Sequence, residues 1–298
     1  MTNRIIGTAG KPDSDTVLVV IGATHGNEHE GIQALTRVFD QLRAAQLQPE
    51  GYLVGLCGNR EAAQQNRRYL GHDLNRIWTP QHLQQMHTDA LPEYAEMREL
   101  ESIILGLEPR SRQRAVLLDI HTTSSPNGTF WVSMPSSDVD LMRQSNAPII
   151  HGLHEVSGLP GTTTVYFGQQ GYATHALEGG QHGTEQAVQN LQAVLWQVMA
   201  HLGMVTPTQA RQHAPTPTTM DALCRSGVPQ ELTFCYRHAI TPEDRFKSVP
   251  GLKNFDFIPE GTLLAHDRHG PVYAPQTGYL LMPLYQDEGS DGFFLVKP

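Results

Sequence analysis

A run of five apolar, mostly β-branched residues near the N-terminus, Val17 to Ile21, is the feature that most restricts the fold. A run with no polar residue on either face is typical of a strand buried on both sides of a parallel sheet. It leads into a glycine-containing loop, residues 22–28, and then into an apolar pattern of helical spacing between Ile32 and Leu42. The chain therefore begins as strand, loop and helix, as an α/β protein does.

The alternation of strands and helices continues to about residue 205. Short apolar runs predict further strands at Tyr52 to Gly58, Ala115 to Ile120, Phe130 to Met134, Thr163 to Phe167 and Ala173 to Leu177. Longer amphipathic segments predict helices at Glu93 to Gly106 and Glu185 to His201. Together they predict a layered α/β domain with a mostly parallel or mixed sheet.

The character of the sequence changes after residue 205. Pro207, Pro215 and Pro217 lie among polar residues, which is typical of a linker. From about Val228 the apolar runs are short and are separated by glycine and proline, so we expect a small β-rich unit. We predict an α/β domain of residues 1–205, a linker of residues 206–219 and a β-rich C-terminal domain of residues 220–298.

Charge and cysteine content exclude several classes of protein. The net charge of −9 argues against nucleic acid or an anionic membrane as a partner, and no apolar run is long enough to span a bilayer. Cys57, Cys224 and Cys235 form no C-x-x-C pair, which argues against a disulfide framework or a cysteine zinc site. The first eleven residues lack the apolar stretch of a signal peptide, and we expect a cytoplasmic protein.

Three potential metal ligands lie where predicted strands end. His25 and Glu28 follow the first strand, and His121 follows the strand that begins at Ala115. Ligands of open α/β sheets collect at the carboxyl ends of the strands. Two histidines and a glutamate, with a fourth position left for water, form a catalytic rather than a structural zinc site. A bare His-x-x-Glu pair is a weak signal, and His25 as a capping or core histidine is the alternative.

A second motif overlaps the first. His25-Gly-Asn-Glu-His29 matches the H-x-x-E-H pattern of inverted zincins, in which His25 and His29 would bind zinc and Glu28 would be the base. That chemistry needs a regular helix through all five residues, and Gly-Asn is a poor helix former. We therefore favour the set with His121. We interpret His151, His154 and the other histidines as surface or packing residues.

Five sequence blocks in a fixed order resemble the succinylglutamate desuccinylase/aspartoacylase family, which is similar in fold to the zinc carboxypeptidases. The blocks are Gly22-Ala-Thr-His-Gly-Asn-Glu28, Asn59-Arg60, Arg67-Arg-Tyr69 with Asp73-Leu-Asn-Arg76, Asp119-Ile-His-Thr-Thr-Ser124 and Glu178-Gly-Gly180. The resemblance spans residues 22 to about 183. The β-rich end carries no motif that can be matched residue by residue.

The resemblance implies a role for each matched side chain. Glu178 resembles the general base that takes a proton from water and passes it to the leaving amine. Arg60 resembles the arginine that polarises the scissile carbonyl. Asn75 and Arg76 resemble the pair that binds the α-carboxylate, and an arginine fork suits that group. Asp119 is a candidate to hydrogen-bond the His121 ring and orient it without contacting the metal.

Two departures from the family pattern concern the substrate. The aspartoacylases bind a second carboxylate with an arginine upstream of the catalytic glutamate, and this chain has no Arg or Lys between Leu159 and Glu178. Glu178-Gly-Gly180 stands where the family usually has Glu-Val-Gly or Glu-Leu-Gly. Tyr285 from the β-rich end is a candidate to line the pocket instead. The acyl group and the amino acid stay open.

The sequence thus predicts an enzyme with one zinc ion per chain that hydrolyses the amide bond of a small N-acyl amino acid. The alternatives are a carboxypeptidase-like peptidase that uses the same metal site, and a metal-containing binding protein without turnover. The oligomeric state cannot be read from the sequence.

Overall fold

The computed structural model describes residues 3–107, 114–155, 161–216 and 227–298. The strands in these ranges are β1 Ile5–Gly10, β2 Val17–Gly22, β3 Tyr52–Cys57, β4 Ala115–Thr123, β5 Thr129–Val132, β6 Ile149–His151, β7 Ala173–Gln181, β8 Glu231–Ala239, β9 Lys247–Ser248, β10 Phe257–Ile258, β11 Leu263–Asp267, β12 Gly270–Tyr273, β13 Gly278–Leu281 and β14 Asp291–Lys297. The helices are α1 Glu30–Ala44, α2 Arg60–Gln64, α3 Pro80–Gln85, α4 Pro92–Gly106, α5 Val139–Arg143, α6 Thr163–Gln169, α7 Glu185–His201 and α8 Pro207–His213.

Most of the described strands form one mixed sheet. Its order is β1-β3-β2-β4-β7-β5-β6-β8-β14-β13-β10, with parallel pairing from β3 through β2 and β4 to β7. β5 runs antiparallel to β7, and both β1 and the last strands are also antiparallel to their neighbours. A separate small sheet has the order β12-β11-β9. The predicted α/β class with a mixed sheet is confirmed.

Helices cover both faces of the central sheet, and β2 shows why. Leu18 and Val20 pack in the cluster that contains α1 and α7. The alternate residues Val17, Val19 and Ile21 pack in a second cluster, with α4 and α6. Because side chains alternate across a strand, a strand covered on both faces must be apolar at every position. In the described part of the chain, no helix has the length and apolar character needed to cross a bilayer.

One strand prediction is wrong. Residues 163–167 form the start of helix α6, not a strand. The Thr162 hydroxyl accepts a hydrogen bond from the Val165 N–H and caps the helix, while Tyr166 and Phe167 pack against Trp78. The β-branched and aromatic residues that suggest a strand are here buried on a helix face, so tertiary packing overrides the local propensity.

Two other strands are longer than the sequence predicts. Strand β4 continues through His121 to Thr123, and β7 continues through Glu178 to Gln181. His121 and Glu178 are therefore held within strands, in register with each other, and do not follow them. Backbone hydrogen bonds on the sheet fix both side chains more firmly than a loop would.

The C-terminal strands extend the main sheet. β8 pairs in parallel with β6, and β14 then pairs with β8, so hydrogen bonds run without a break from the N-terminal strands to β10. Helix α8 lies in the predicted linker and begins with a capping box between Thr206 and Gln209. Residues 217–226 lie outside the described residues. The domain boundaries stay a prediction.

Candidate metal and active site

The loop after β2 places His25 and Glu28 side by side. The Glu28 N–H donates to the His25 carbonyl over 3.0 Å, which closes a tight turn just before α1. At Gly26, a Cβ atom would lie 2.3 Å from the backbone of Ala62, and the Gly26 N–H donates to the Arg68 carbonyl over 3.0 Å. The glycine therefore lets this loop pack directly on the segment that carries Arg68.

His25, Glu28 and His121 meet in one buried cluster. The Glu28 Oε1 atom lies 2.7 Å from His25 Nδ1, and its Oε2 atom lies 3.1 Å from His121 Nδ1. The Thr122 N–H also donates to Oε2 over 3.0 Å. Among the described residues, these three are the group whose potential ligand atoms lie within 4.8 Å of one another. The sequence-predicted ligands are thus brought together, each through an atom that faces the others.

Each imidazole has a second carboxylate next to its other ring nitrogen, Nε2. Asp73 Oδ1 lies 3.1 Å from His25 Nε2, and Asp119 Oδ2 lies 3.2 Å from His121 Nε2. The Thr24 hydroxyl donates to the other oxygen of Asp119 over 2.6 Å. Carboxylates in this position orient histidine ligands and leave the opposite nitrogen for an ion. Two Nδ1 atoms turned toward a carboxylate form a donor set that fits Zn²⁺.

The charges of the cluster are mutually stabilised. Burial alone would raise the pKa of Glu28, but His25 and His121 hold it well below its usual range. Burial would likewise lower the pKa of His121, yet Asp119 and Glu28 raise it well above the usual value. The site therefore holds its glutamate as a carboxylate, which is the form that binds a cation.

Glu178 faces the same cavity from β7. It is paired in register with His121 on β4 and with Phe130 on β5. Among the described residues its Oε2 atom has no hydrogen-bond partner. Burial raises the pKa of Glu178 to about 7, although His121 opposes the shift. An unpartnered, desolvated carboxyl beside a group of potential metal ligands is typical of a catalytic acid or base.

The structure does not bring Arg60 to this cavity. Arg60 is the first residue of α2, and its guanidinium lies 3.3 Å from Glu99 instead. Arg68 does line the cavity, and its Nη2 lies 3.0 Å from Asp73 Oδ2 while its Nη1 lies 3.6 Å from Glu28 Oε1. The sequence block Arg67-Arg-Tyr69 contains this residue, but the sequence gives it no role of its own.

Asn75 and Arg76 line the same cavity, and both contact other residues. The Asn75 Oδ1 atom accepts a hydrogen bond from the Thr163 N–H over 2.9 Å. The Arg76 guanidinium lies 3.4 Å from Asp291 on β14, and Asp291 also pairs with Arg237 over 2.5 Å. Arg76 is thus oriented by a carboxylate from the C-terminal strands, which sequence reasoning missed because no motif marks Asp291.

Other residues of the cavity differ from the sequence-based interpretation. Tyr285 does not line it, because the Tyr285 hydroxyl donates to the Val249 carbonyl over 2.6 Å and the ring is 39% exposed. His182, interpreted as a surface or packing residue, lines the cavity and contacts the Thr122 hydroxyl over 2.7 Å. His154 lines it as well. A histidine's place in a cavity depends on long-range packing, for which these sequence positions give no pattern.

The inverted-zincin alternative does not fit this geometry. Residues 25–29 form a turn, and α1 begins only at Glu30. His29 Nε2 contacts Asn66 Oδ1 over 3.0 Å at an exposed position. His29 therefore points away from the ligand set, and His121 takes the place that the alternative gives to His29.

The sequence profile of the succinylglutamate desuccinylase/aspartoacylase catalytic domain matches residues 14–202. The chain belongs to this family. That confirms the resemblance drawn from the five sequence blocks.

Individual relatives agree with this assignment. A succinylglutamate desuccinylase of Pseudomonas fluorescens is 30% identical over 37% of this chain and 32% of its own length. A human N-acyl-aromatic-L-amino acid amidohydrolase is 32% identical over 42% of this chain and 39% of its own. These alignments span about a third of the first relative and about two fifths of the second. The crystal structure of a Vibrio parahaemolyticus succinylglutamate desuccinylase is similar, with a TM-score of 0.68, 15% identity and coverage of 96% of this chain and 82% of the other.

Proposed function

We propose that the protein is a zinc-dependent amidohydrolase that cleaves the amide bond of a small N-acyl amino acid. The observation that carries the proposal is the convergence of two histidine Nδ1 atoms on Glu28, beside the unpartnered carboxyl of Glu178 in one cavity. Two relatives bear names of enzymes that act on acylated amino acids, which supports the same reaction class. A cytoplasmic location stays a prediction from the sequence.

His25, Glu28 and His121 would hold the zinc ion, one per chain. When bound there, zinc lowers the pKa of water and polarises a carbonyl oxygen. Asp73 and Asp119 keep the two imidazole rings turned so that both Nδ1 atoms face the ion's position.

Glu178 acts as the proton carrier. Its free oxygen takes a proton from the attacking water and gives it to the nitrogen of the leaving amine when the C–N bond breaks. The position of Glu178 on a strand, next to His121 in register, holds the carboxyl in place for both transfers.

Arg68, and not Arg60, stabilises the negative charge that develops on the carbonyl oxygen. Its guanidinium is fixed by Asp73 and Glu28 and lines the cavity together with the three candidate ligands and Arg76. Fixed donors aimed at a developing oxyanion need no reorganisation during the reaction. Asn75 and Arg76 bind the α-carboxylate of the amino-acid half, with Arg76 held by Asp291.

The two alternatives make different demands on the same site. A carboxypeptidase-like enzyme would share all these groups and would differ in accepting dipeptides. A binding protein without turnover would have no need for an unpartnered carboxyl beside the ligand cluster, and Glu178 favours an enzyme for that reason.

The test is the Glu178→Gln variant, assayed with wild type for zinc content and for amide hydrolysis over N-acyl amino acids and dipeptides. We expect about one zinc per chain in both proteins, because Glu178 is not a ligand. We expect kcat to fall about 100-fold or more, since a positioned acid-base group contributes about 10²–10⁴. Loss of zinc from the variant would make Glu178 a ligand. Wild type that holds zinc but hydrolyses no substrate would support the binding protein.

A further inference from the structure

We propose that the cavity selects a substrate with an apolar group beside the scissile amide, and that it excludes a second carboxylate. The inference rests on the proposed amidohydrolase function and deepens it to a substrate class. It is carried by one wall of the cavity, which we call the apolar wall. The wall consists of Val132, Met134, Leu153, Ala176, Met282 and Phe294.

The apolar wall begins next to the catalytic carboxyl. Ala176 and Glu178 lie two residues apart on β7, so their side chains share a face and are separated by about 7 Å along the strand. Val132 is the register partner of Ala176 on β5. A group that reaches this surface must therefore be attached close to the bond that Glu178 serves.

The C-terminal strands complete the wall. Phe294 packs with Leu153 in the buried cluster that also contains Phe130, and Val132 and Met282 pack against that cluster. The wall is therefore the edge of a hydrophobic core that opens into the cavity. An apolar ligand group there would continue the packing of the core, whereas a charged group would be desolvated without compensation.

Met282 is held against the cavity in an unusual conformation. Its φ angle is +51°, in the left-handed region that residues with a Cβ seldom adopt. The Met282 N–H donates to Asn254 Oδ1 over 2.6 Å, and the Asn254 amide donates in turn to Ser125 Oγ and the Pro126 carbonyl, each over 2.8 Å. Strained positions that are fixed in this way cluster at binding sites. The network links Met282 to the segment that follows the His121 strand.

A second substrate carboxylate finds no free cation in the described cavity. Arg68 is bound by Asp73 and Glu28, and Arg76 serves the α-carboxylate. No Lys or Arg occurs anywhere in the sequence from residue 144 to residue 210, the segment that supplies Leu153, Ala176 and Glu178. His154 is turned to the Ser133 carbonyl, 3.1 Å from Nδ1.

The test compares kcat/KM for the zinc-loaded full chain on matched substrates. N-acetyl-leucine and N-acetyl-methionine are set against N-acetylaspartate and N-acetylglutamate, and N-hexanoylglycine against N-succinylglycine. We expect at least a 10-fold preference for the apolar member of one set, since a single methylene in a hydrophobic pocket changes kcat/KM by about 10–200-fold. A preference within the N-acetyl amino acids would mean that the amino-acid half contacts the wall. A preference within the acylglycines would mean that the acyl half does. Equal rates, or faster hydrolysis of the dicarboxylates, would overturn the proposal while leaving the amidohydrolase function intact.

Two variants and one binding measurement make the test specific. Met282→Lys adds a cation to the wall and should reduce the preference about 10-fold. Val132→Thr, which changes shape very little, should reduce it in the same direction, and Tyr273→Lys at an exposed site should not. Unchanged preference in both folded wall variants would contradict the assignment.

If no substrate is hydrolysed, the amidohydrolase proposal fails. The wall is then judged by ligand-induced shifts in Tm, which must be larger for N-acetyl-leucine than for N-acetylaspartate.

Discussion

At the scale of single residues, the site depends on charged side chains that a neighbour of opposite charge holds in place. Arg68 is the clearest case. Its guanidinium lies between Asp73 and Glu28, and these carboxylates keep its pKa above the usual value even though burial opposes the shift. A planar fork held on two sides has one orientation, which a lysine cannot reproduce.

Arg68→Lys should therefore lower kcat/KM by about 100-fold or more, the loss typical of a removed oxyanion donor. Arg60→Lys is the matched control, because Arg60 pairs with Glu99 outside the cavity. It should retain activity within about threefold, as surface ion pairs contribute little. Steady-state kinetics of both variants on one substrate decide the question. A larger loss of kcat/KM in Arg60→Lys than in Arg68→Lys would assign the catalytic role to Arg60.

His175 gives a pH-dependent stability at the same scale. Its ring is fully buried beside Trp131, and within the described structure neither nitrogen has a hydrogen-bond partner. Burial lowers its pKa to about 4, while Asp138 opposes and His201 adds to the shift. Between pH 6.5 and 4 the unfolded chain binds a proton that the folded chain does not. His175 therefore does not change the free energy of unfolding above pH 6.5. As the pH falls from 6.5 to 4, protonation of the unfolded chain lowers that free energy.

The free energy of unfolding should accordingly fall by about 2 kcal/mol between pH 7 and pH 5 on account of this one group. The His175→Phe variant should lack that component, and the difference between the two proteins in urea unfolding at the two pH values measures it. Equal pH dependence in both proteins would show that His175 does not remain neutral in the folded state.

At the scale of elements, the packing of α7 on β7 explains the glycine pair after Glu178. A Cβ at Gly179 would lie 2.4 Å from the Leu191 Cγ atom of α7, and Gly180 has a φ of +134°. The Asn190 amide of α7 also donates to the Gly179 carbonyl over 2.9 Å. The departure from the family pattern therefore has a structural cause and gives no sign of lost function.

Gly179→Val should lower the free energy of unfolding by about 1–3 kcal/mol through overpacking. A second change, Leu191→Ala, makes room for the valine. The double variant should then be more stable than the sum of the two single changes, because residues in contact couple. Gly106→Ala is the control, since nothing lies within 4 Å of a Cβ there. Additive effects in urea unfolding would mean that the helix shifts to accommodate the new side chain.

The elements also show which parts of the protein could be predicted from the sequence. The apolar run of β2 and the period of α7 follow from local pattern, and both match the structure. The candidate ligand set could be predicted because His25 and Glu28 are close in sequence and His121 lies on an apolar strand. The positions of Arg68, Asp291 and Met282 could not, because each is set by contacts across more than one element. Residues 163–167 are helical for the same reason, because Tyr166 and Phe167 pack against Trp78 although their composition predicts a strand.

At the scale of the whole molecule, the C-terminal strands belong to the core of the protein. Phe130, Ile150 and Leu153 on the N-terminal side share one cluster with Leu232, Phe255 and Phe294. The sheet is continuous across this junction, through the parallel pairing of β6 with β8. Asp291 on β14 contacts Arg76, and Met282, directly after β13, lines the cavity, so the C-terminal segment both stabilises the fold and shapes the cavity.

A fragment of residues 1–216 should therefore not fold to a stable native state. Its truncation would expose Phe130, Ile150 and Leu153, each costing about 1.5–3 kcal/mol of lost burial. That sum is comparable with the whole stability of a typical domain, about 5–15 kcal/mol. The exposed edge of β6 would add unpaired backbone groups. Circular dichroism and calorimetry of the fragment should show no cooperative transition, whereas the full chain should unfold in one. A fragment that melts cooperatively near the Tm of the full chain would instead establish residues 1–216 as an independent domain. Its bounds would then be close to those of the domain predicted from the sequence, residues 1–205.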